Sequence, residues 1–127
     1  MAITLDFTLS EPADGKGLAT EFSIKVGGNP YAFSGPDDRG KGNHYHGRKL
    51  RCEGQTPKDT LKAVARAMSR HLALVMNAEQ ETEATVNGTA IELRKPPRLG
   101  GPERPDLTNA EGIKIHEAVY AAVKGAL

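Results

Sequence analysis

A chain of 127 residues, 38% apolar and 5% aromatic with no Trp, has room for one modest core built mainly from aliphatic side chains and Ala. Its single cysteine, Cys52, excludes an internal disulfide, and no apolar run approaches the roughly 18 residues of a membrane span. With a formal net charge of +1 and no basic-then-apolar leader at its start, the expectation is a soluble cytoplasmic protein, a single domain over residues 1–127.

Ile3, Leu5, Phe7 and Leu9 alternate with Thr4, Asp6, Thr8 and Ser10, the period-two pattern of a strand with one buried face. Residues 11–17 carry the Pro and Gly of a reversal. A second strand follows, with Phe22, Ile24 and Val26 inward and Glu21, Ser23 and Lys25 outward. Gly27-Gly28-Asn29-Pro30 turns the chain again and Tyr31-Ala32-Phe33 begins a third strand, so the opening reads as a meander. Residues 34–43 form a flexible Gly-rich loop, and His44 to Cys52 reads as a fourth strand with a bulge at Gly47.

Thr56 then serves as an N-cap, Pro57 suits the first helical position and Asp59 completes a capping box. Leu61, Val64, Ala65, Met68, Leu72 and Val75 make one buried stripe of a helix running to about Asn77. Past an acidic link at Glu79, Glu81 and Glu83, Asn87-Gly88 fits both positive-φ positions of a type I′ turn. That register puts Ala84, Val86, Thr89, Ile91 and Leu93 on one face. Residues 95–107 form a second flexible loop, rich in Pro and Gly. Thr108 with Glu111 caps a last helix, in which Ile113, Val119, Tyr120 and Val123 pack. The fold class this predicts is α+β: an antiparallel sheet, meander plus Asn-Gly hairpin, with two helices packed on one face in the order ββββ-α-ββ-α.

Charge is distributed unevenly along this chain. Nine of the seventeen Lys and Arg residues fall within residues 39–70, beside only two acids. Residues 1–38 carry two cations and six acids, and residues 71–127 six and eight. Such asymmetry concerns partners rather than fold. Lys58, Lys62, Arg66 and Arg70 are spaced by four and form one row along the first helix. Like charges at this spacing oppose the helix by roughly 0.2–0.5 kcal/mol per pair, a cost that a bound anion offsets. Arg48, Lys49 and Arg51 on the preceding strand, and Arg39 and Lys41 in the glycine loop, extend the patch; Lys95, Arg98 and Arg104 give the later loop a positive character. The plainer reading is a solvated face neutralised by Glu79–Glu83. Tyr31 and Tyr45 are the aromatic candidates for base stacking, and no RRM, KH, zinc-finger or helix-turn-helix signature accompanies the cations. Gly35 and Gly40-Lys41-Gly42 invite a phosphate-cradle reading, but they match neither the Walker pattern nor the dinucleotide fingerprint.

His44 and His46 are two apart on a strand, a geometry that suits two ligands to one divalent metal, with Asp6, Glu21 or His71 as third candidates. Two surface histidines are the plainer reading. His44-Tyr45-His46-Gly47, the first strand's Phe7-Thr8-Leu9-Ser10, and Tyr120 with Lys124 on a late helix resemble the motifs of the HUH endonucleases. The resemblance implies a metal held by the His pair and nicking of single-stranded DNA by Tyr120 as nucleophile. It departs from the family in having a hairpin where a helix usually stands, and in a Tyr-to-Lys spacing of four rather than three. His71 and His116 on the helices read as structural, and Cys52 has no activating context.

The leading expectation is a small non-catalytic binding protein. It presents residues 39–70 to an anionic partner, either nucleic acid or a phosphate-bearing nucleotide, with no cofactor, metal or membrane. One alternative is a small inhibitor or adaptor of mobile-element (phage) type that docks on an acidic protein surface. The other is the HUH-like nickase. An exposed sheet edge also leaves homo-oligomers open.

Overall fold

The computed structural model describes residues 2–10, 18–33, 44–45, 48–52, 57–98 and 109–126. The expected first strand and its partner form a long antiparallel pair, β1 (Ile3–Ser10) and β2 (Leu18–Val26). Ile3 faces Val26, Leu5 faces Ile24 and Phe7 faces Phe22, so the alternating apolar residues of both strands lie on one side and are buried. Gly27 and Gly28, with φ of 59° and 82°, then reverse the chain into β3 (Asn29–Pro30), which pairs with Val26 and Lys25 at the outer edge of β2.

The rest of the expected meander is divided differently. Ala32–Phe33 (β4) leaves this edge and pairs with His44–Tyr45 (β5) in a small separate ladder. The chain returns to β2 as β6 (Arg48–Cys52), and Gly47 lies outside the described residues. The two segments on this edge are collinear. Both run antiparallel to β2; β3 ends opposite Lys25, Tyr31 N–H donates to Ile24 O at 3.0 Å, and β6 begins opposite Phe22. The positions are those of a single edge strand interrupted once.

Helix α1 (Pro57–Ala78) begins at the expected proline and runs 22 residues, about 33 Å. Its end is a Schellman closure: Glu81 N–H donates to Met76 O at 2.9 Å and Gln80 N–H to Asn77 O at 3.2 Å, with Gln80 at φ 54°. The hairpin β7 (Glu83–Val86) and β8 (Thr89–Glu92) follows, and Asn87 and Gly88 take the positive φ values of 46° and 85° that the type I′ turn needs. Ala84, Val86, Ile91 and Leu93 are buried, while Glu83 and Glu92 pair on the exposed face.

The sheet is mixed, which corrects the purely antiparallel expectation. β7 pairs parallel to β1, Thr4 with Thr85 and Leu5 with Val86, giving the row β3-β2-β1-β7-β8 with β6 sharing the edge of β2. The reason lies in α1. A helix between two strands carries the chain back to the end where it started, so the next strand runs in the same direction as the last. Since β6 is antiparallel to β2, as β1 is, a β7 parallel to β6 is parallel to β1 as well.

Helix α2 (Ala110–Gly125) is capped by Asn109, whose Oδ1 accepts from Gly112 N–H at 2.8 Å, one residue later than the Thr108 cap expected. Its buried stripe is Ile115, Val119 and Val123. Ile113, expected inside, is 44% exposed, because it lies six residues before Val119 and so about 120° round the helix. The inward residues of β1, β2, β7 and β8 join those of both helices in one core. No helix among the described residues is long and apolar enough to cross a membrane.

Candidate functional site

The buried stripes of the two helices decide what the helices leave exposed. On α1, Leu61, Val64, Ala65, Met68 and Leu72 turn to the core, which leaves Lys62 and Arg66 exposed and Arg70 half-buried along another face. On α2, burial of Ile115, Val119 and Val123 leaves Ile113, His116, Glu117 and Tyr120 as a second stripe at i, i+3, i+4 and i+7. The helices pack together, and Lys62, Arg66, His116, Glu117 and Tyr120 line an open cleft of about 510 Å3 between them.

The two walls differ in chemistry. The α1 wall is cationic, one ammonium and one guanidinium a turn apart. The α2 wall is aromatic: the rings of His116 and Tyr120 stack with centroids 6.3 Å apart and planes inclined by 26°. Tyr120 is half-buried and rests on the core, so the pair has a fixed base. Ile113, an exposed apolar side chain one turn earlier on the same stripe of α2, is not among the residues that line the cleft. Glu117 supplies a single carboxylate against the two cations, and no ion pair among the described residues joins it to either of them. A guanidinium offers a planar fork to phosphate oxygens, and an ammonium a compact point charge. Such a cleft can hold an anion on one side and a flat ring on the other.

The remaining expected site residues are dispersed or lie outside the described residues. Arg70 continues the α1 row but does not line the cleft, and Lys58 stands on α1 with its side chain outside the described residues. On β6, Arg48 pairs with Phe22, Lys49 with Glu21 and Arg51 with Ala19. This register puts the positions of Lys49 and Arg51 on the Glu21 side of the sheet, away from the helices, and that of Arg48 on the Phe22 side. Lys95 and Arg98 are exposed beyond β8 and do not reach the cleft. Arg39, Lys41 and Arg104 lie outside the described residues.

His44 sits on β5 and His46 lies outside the described residues, among which no group of three or more metal-ligating side chains occurs. His71, a candidate third ligand, is a core histidine. Its Nδ1–H donates to Ala67 O at 2.8 Å, and its ring meets Phe22 edge-on at 5.5 Å. Tyr31, expected as an exposed stacking ring, packs half-buried against the core. Burial, and then the charge of Glu79, push its hydroxyl above its ordinary value of 10.0.

His116 and Glu117 were not expected at a site. Their signal in the sequence is the second periodic stripe of α2, visible once Ile115 rather than Ile113 is taken as core. No protein-family model matches this chain, and no curated protein or solved structure matches it.

Proposed function

We propose that this is a non-catalytic binding protein whose ligand is anionic, a nucleic acid or a phosphate-bearing nucleotide, held at the cleft between α1 and α2. One observation carries the reading: Lys62 and Arg66 stand a turn apart, exposed, on the wall of a cleft whose other wall carries stacked rings. Their mutual repulsion weakens α1, and an anion between them removes it. A phosphate meets both cations at once, and a ring stack is a natural rest for a base.

The test is titration of the full chain with a labelled single-stranded oligonucleotide and with inorganic phosphate, at several salt concentrations. Affinity should fall steeply as salt rises, since each phosphate contact releases counterions. Lys62→Glu combined with Arg66→Glu should lower affinity more than about tenfold, roughly 0.7 kcal/mol per residue or more, with the thermal midpoint held. Binding that ignores this double reversal would sink the proposal. An acidic protein captured in place of either probe, with the same dependence on Lys62 and Arg66, would favour the adaptor reading instead.

A further inference from the structure

We infer that the cleft takes one nucleotide unit, its phosphate at Lys62 and Arg66 and its base against the His116–Tyr120 pair. The inference rests on the anion-binding reading above and narrows it to a ligand class.

Three features support a single unit over a long polyanion. First, a volume of about 510 Å3 falls within the roughly 300–1,000 Å3 of small-ligand clefts. Second, Glu117 stands in the same cleft. An ionised carboxylate only accepts hydrogen bonds, so it suits an amino group of the base or a hydroxyl of the sugar, and it repels further phosphates. Third, an extended strand would need a longer aromatic and cationic track, and the open face of the sheet does not supply one. Its exposed side chains mix Asp6, Glu21, Glu83 and Glu92 with Lys25, and the register positions of Lys49 and Arg51 lie on the same side, so cations there are interspersed with carboxylates rather than forming an unbroken track. Among the described residues, cations and stacked rings coincide at the helix cleft.

A free mononucleotide and the phosphorylated end of a strand share this chemistry. Calorimetric titration of the full chain with adenosine monophosphate, ribose 5-phosphate and inorganic phosphate tests it, alongside one oligonucleotide with and without its 5′-phosphate. The nucleotide should bind about tenfold tighter than ribose 5-phosphate, the margin that one base–aromatic stack confers. Tyr120→Leu should erase that margin. Because Tyr120 also rests on the core, His116→Ala serves as a second variant, on a side chain outside the core cluster, and should shrink the same margin. Glu117→Gln should raise the affinity of a nucleoside triphosphate relative to the monophosphate.

Equal binding of nucleotide and ribose 5-phosphate overturns the inference and leaves the anion reading standing. A margin that survives both ring variants overturns it as well. Failure of every phosphate probe, oligonucleotides included, removes both. Tighter binding of the oligonucleotide than of the mononucleotide supports the inference and assigns the strand end as source only if it is lost with the 5′-phosphate, and overturns it if the unphosphorylated oligonucleotide binds equally well. Tighter binding of the mononucleotide supports it and assigns the free nucleotide.

Discussion

Asn87 does two things at once, and the sequence declares only one of them. Its φ of 46° serves the turn, as the Asn-Gly pair suggests. Its side chain also reaches β1: Phe7 N–H donates to Oδ1 at 2.8 Å, and Nδ2–H donates to Phe7 O at 3.2 Å. With Asn87 N–H on Leu5 O at 2.9 Å, the side-chain amide acts as one more peptide in the parallel ladder and fastens the hairpin to the sheet. Asn87→Gly keeps the turn and deletes this bridge, so it should cost about 1–2 kcal/mol, two ordinary net hydrogen bonds. Urea unfolding with an unchanged slope would read this out; no loss of midpoint would refute the bridge's role. Tyr31 gives a pH effect. Its folded hydroxyl holds its proton more tightly than the unfolded chain's, whose ordinary value is 10.0. Its contribution is therefore complete below pH 10 and falls as pH rises through the folded value. Tyr31→Phe should flatten the alkaline limb of the stability curve, measured by denaturant midpoints across that range.

At the scale of the element, what was legible is what local chemistry dictates. The proline at 57, the apolar stripe of α1 and the Asn-Gly turn are each specified within a few residues, and each stands where expected. Less legible was the rotation of α2, since Ile113 and Ile115 are equally apolar and only tertiary packing chooses between them. The cleft was hidden for that reason: three of its five lining residues depend on the rotation. The end of α1, expected near Asn77, falls at Ala78, but its closure was unannounced, because Gln80 rather than Gly holds the left-handed position. A side chain there is strained, so Gln80→Gly should stabilise the protein by roughly 0.5–1 kcal/mol. That gain is lessened by the loss of the Gln80 Nε2 hydrogen bond to Asn77 O at 2.7 Å. A rise in the thermal midpoint is the expected result, and a fall would mean the side-chain bond outweighs the strain.

Across the molecule, strand pairing was the part that sequence could not convey. Alternation says which face of a strand is buried, but nothing in Ala84 or Val86 names β1 as the neighbour. That assignment follows from the length and position of α1, which sets β7 down beside β1. Charge follows the same layering. The α1 row and the cleft lie among the helices, while the opposite sheet surface carries Asp6, Glu21, Glu83 and Glu92 with Lys25 among them. Concentration of cations along the sequence therefore becomes separation by layer in space for Lys62 and Arg66, and not for Lys49 or Arg51, whose register positions lie on the Glu21 side.

The collinear placement of β3 and β6 implies a splice. Tyr31 continues β3 opposite Ile24, Ala32 then leaves this edge for the β4–β5 ladder, and Arg48 stands opposite Phe22, so one register position, opposite Ser23, separates the two pieces. Excising residues 33–47 and joining Ala32 directly to Arg48 would fuse both pieces into one unbroken border strand without shifting any other pair. The shortened chain should keep its circular dichroism spectrum and cooperative melting. Titrated with the same phosphate probes, it would also report whether the excised stretch with Arg39, Lys41, His44 and His46 carries any share of the proposed binding.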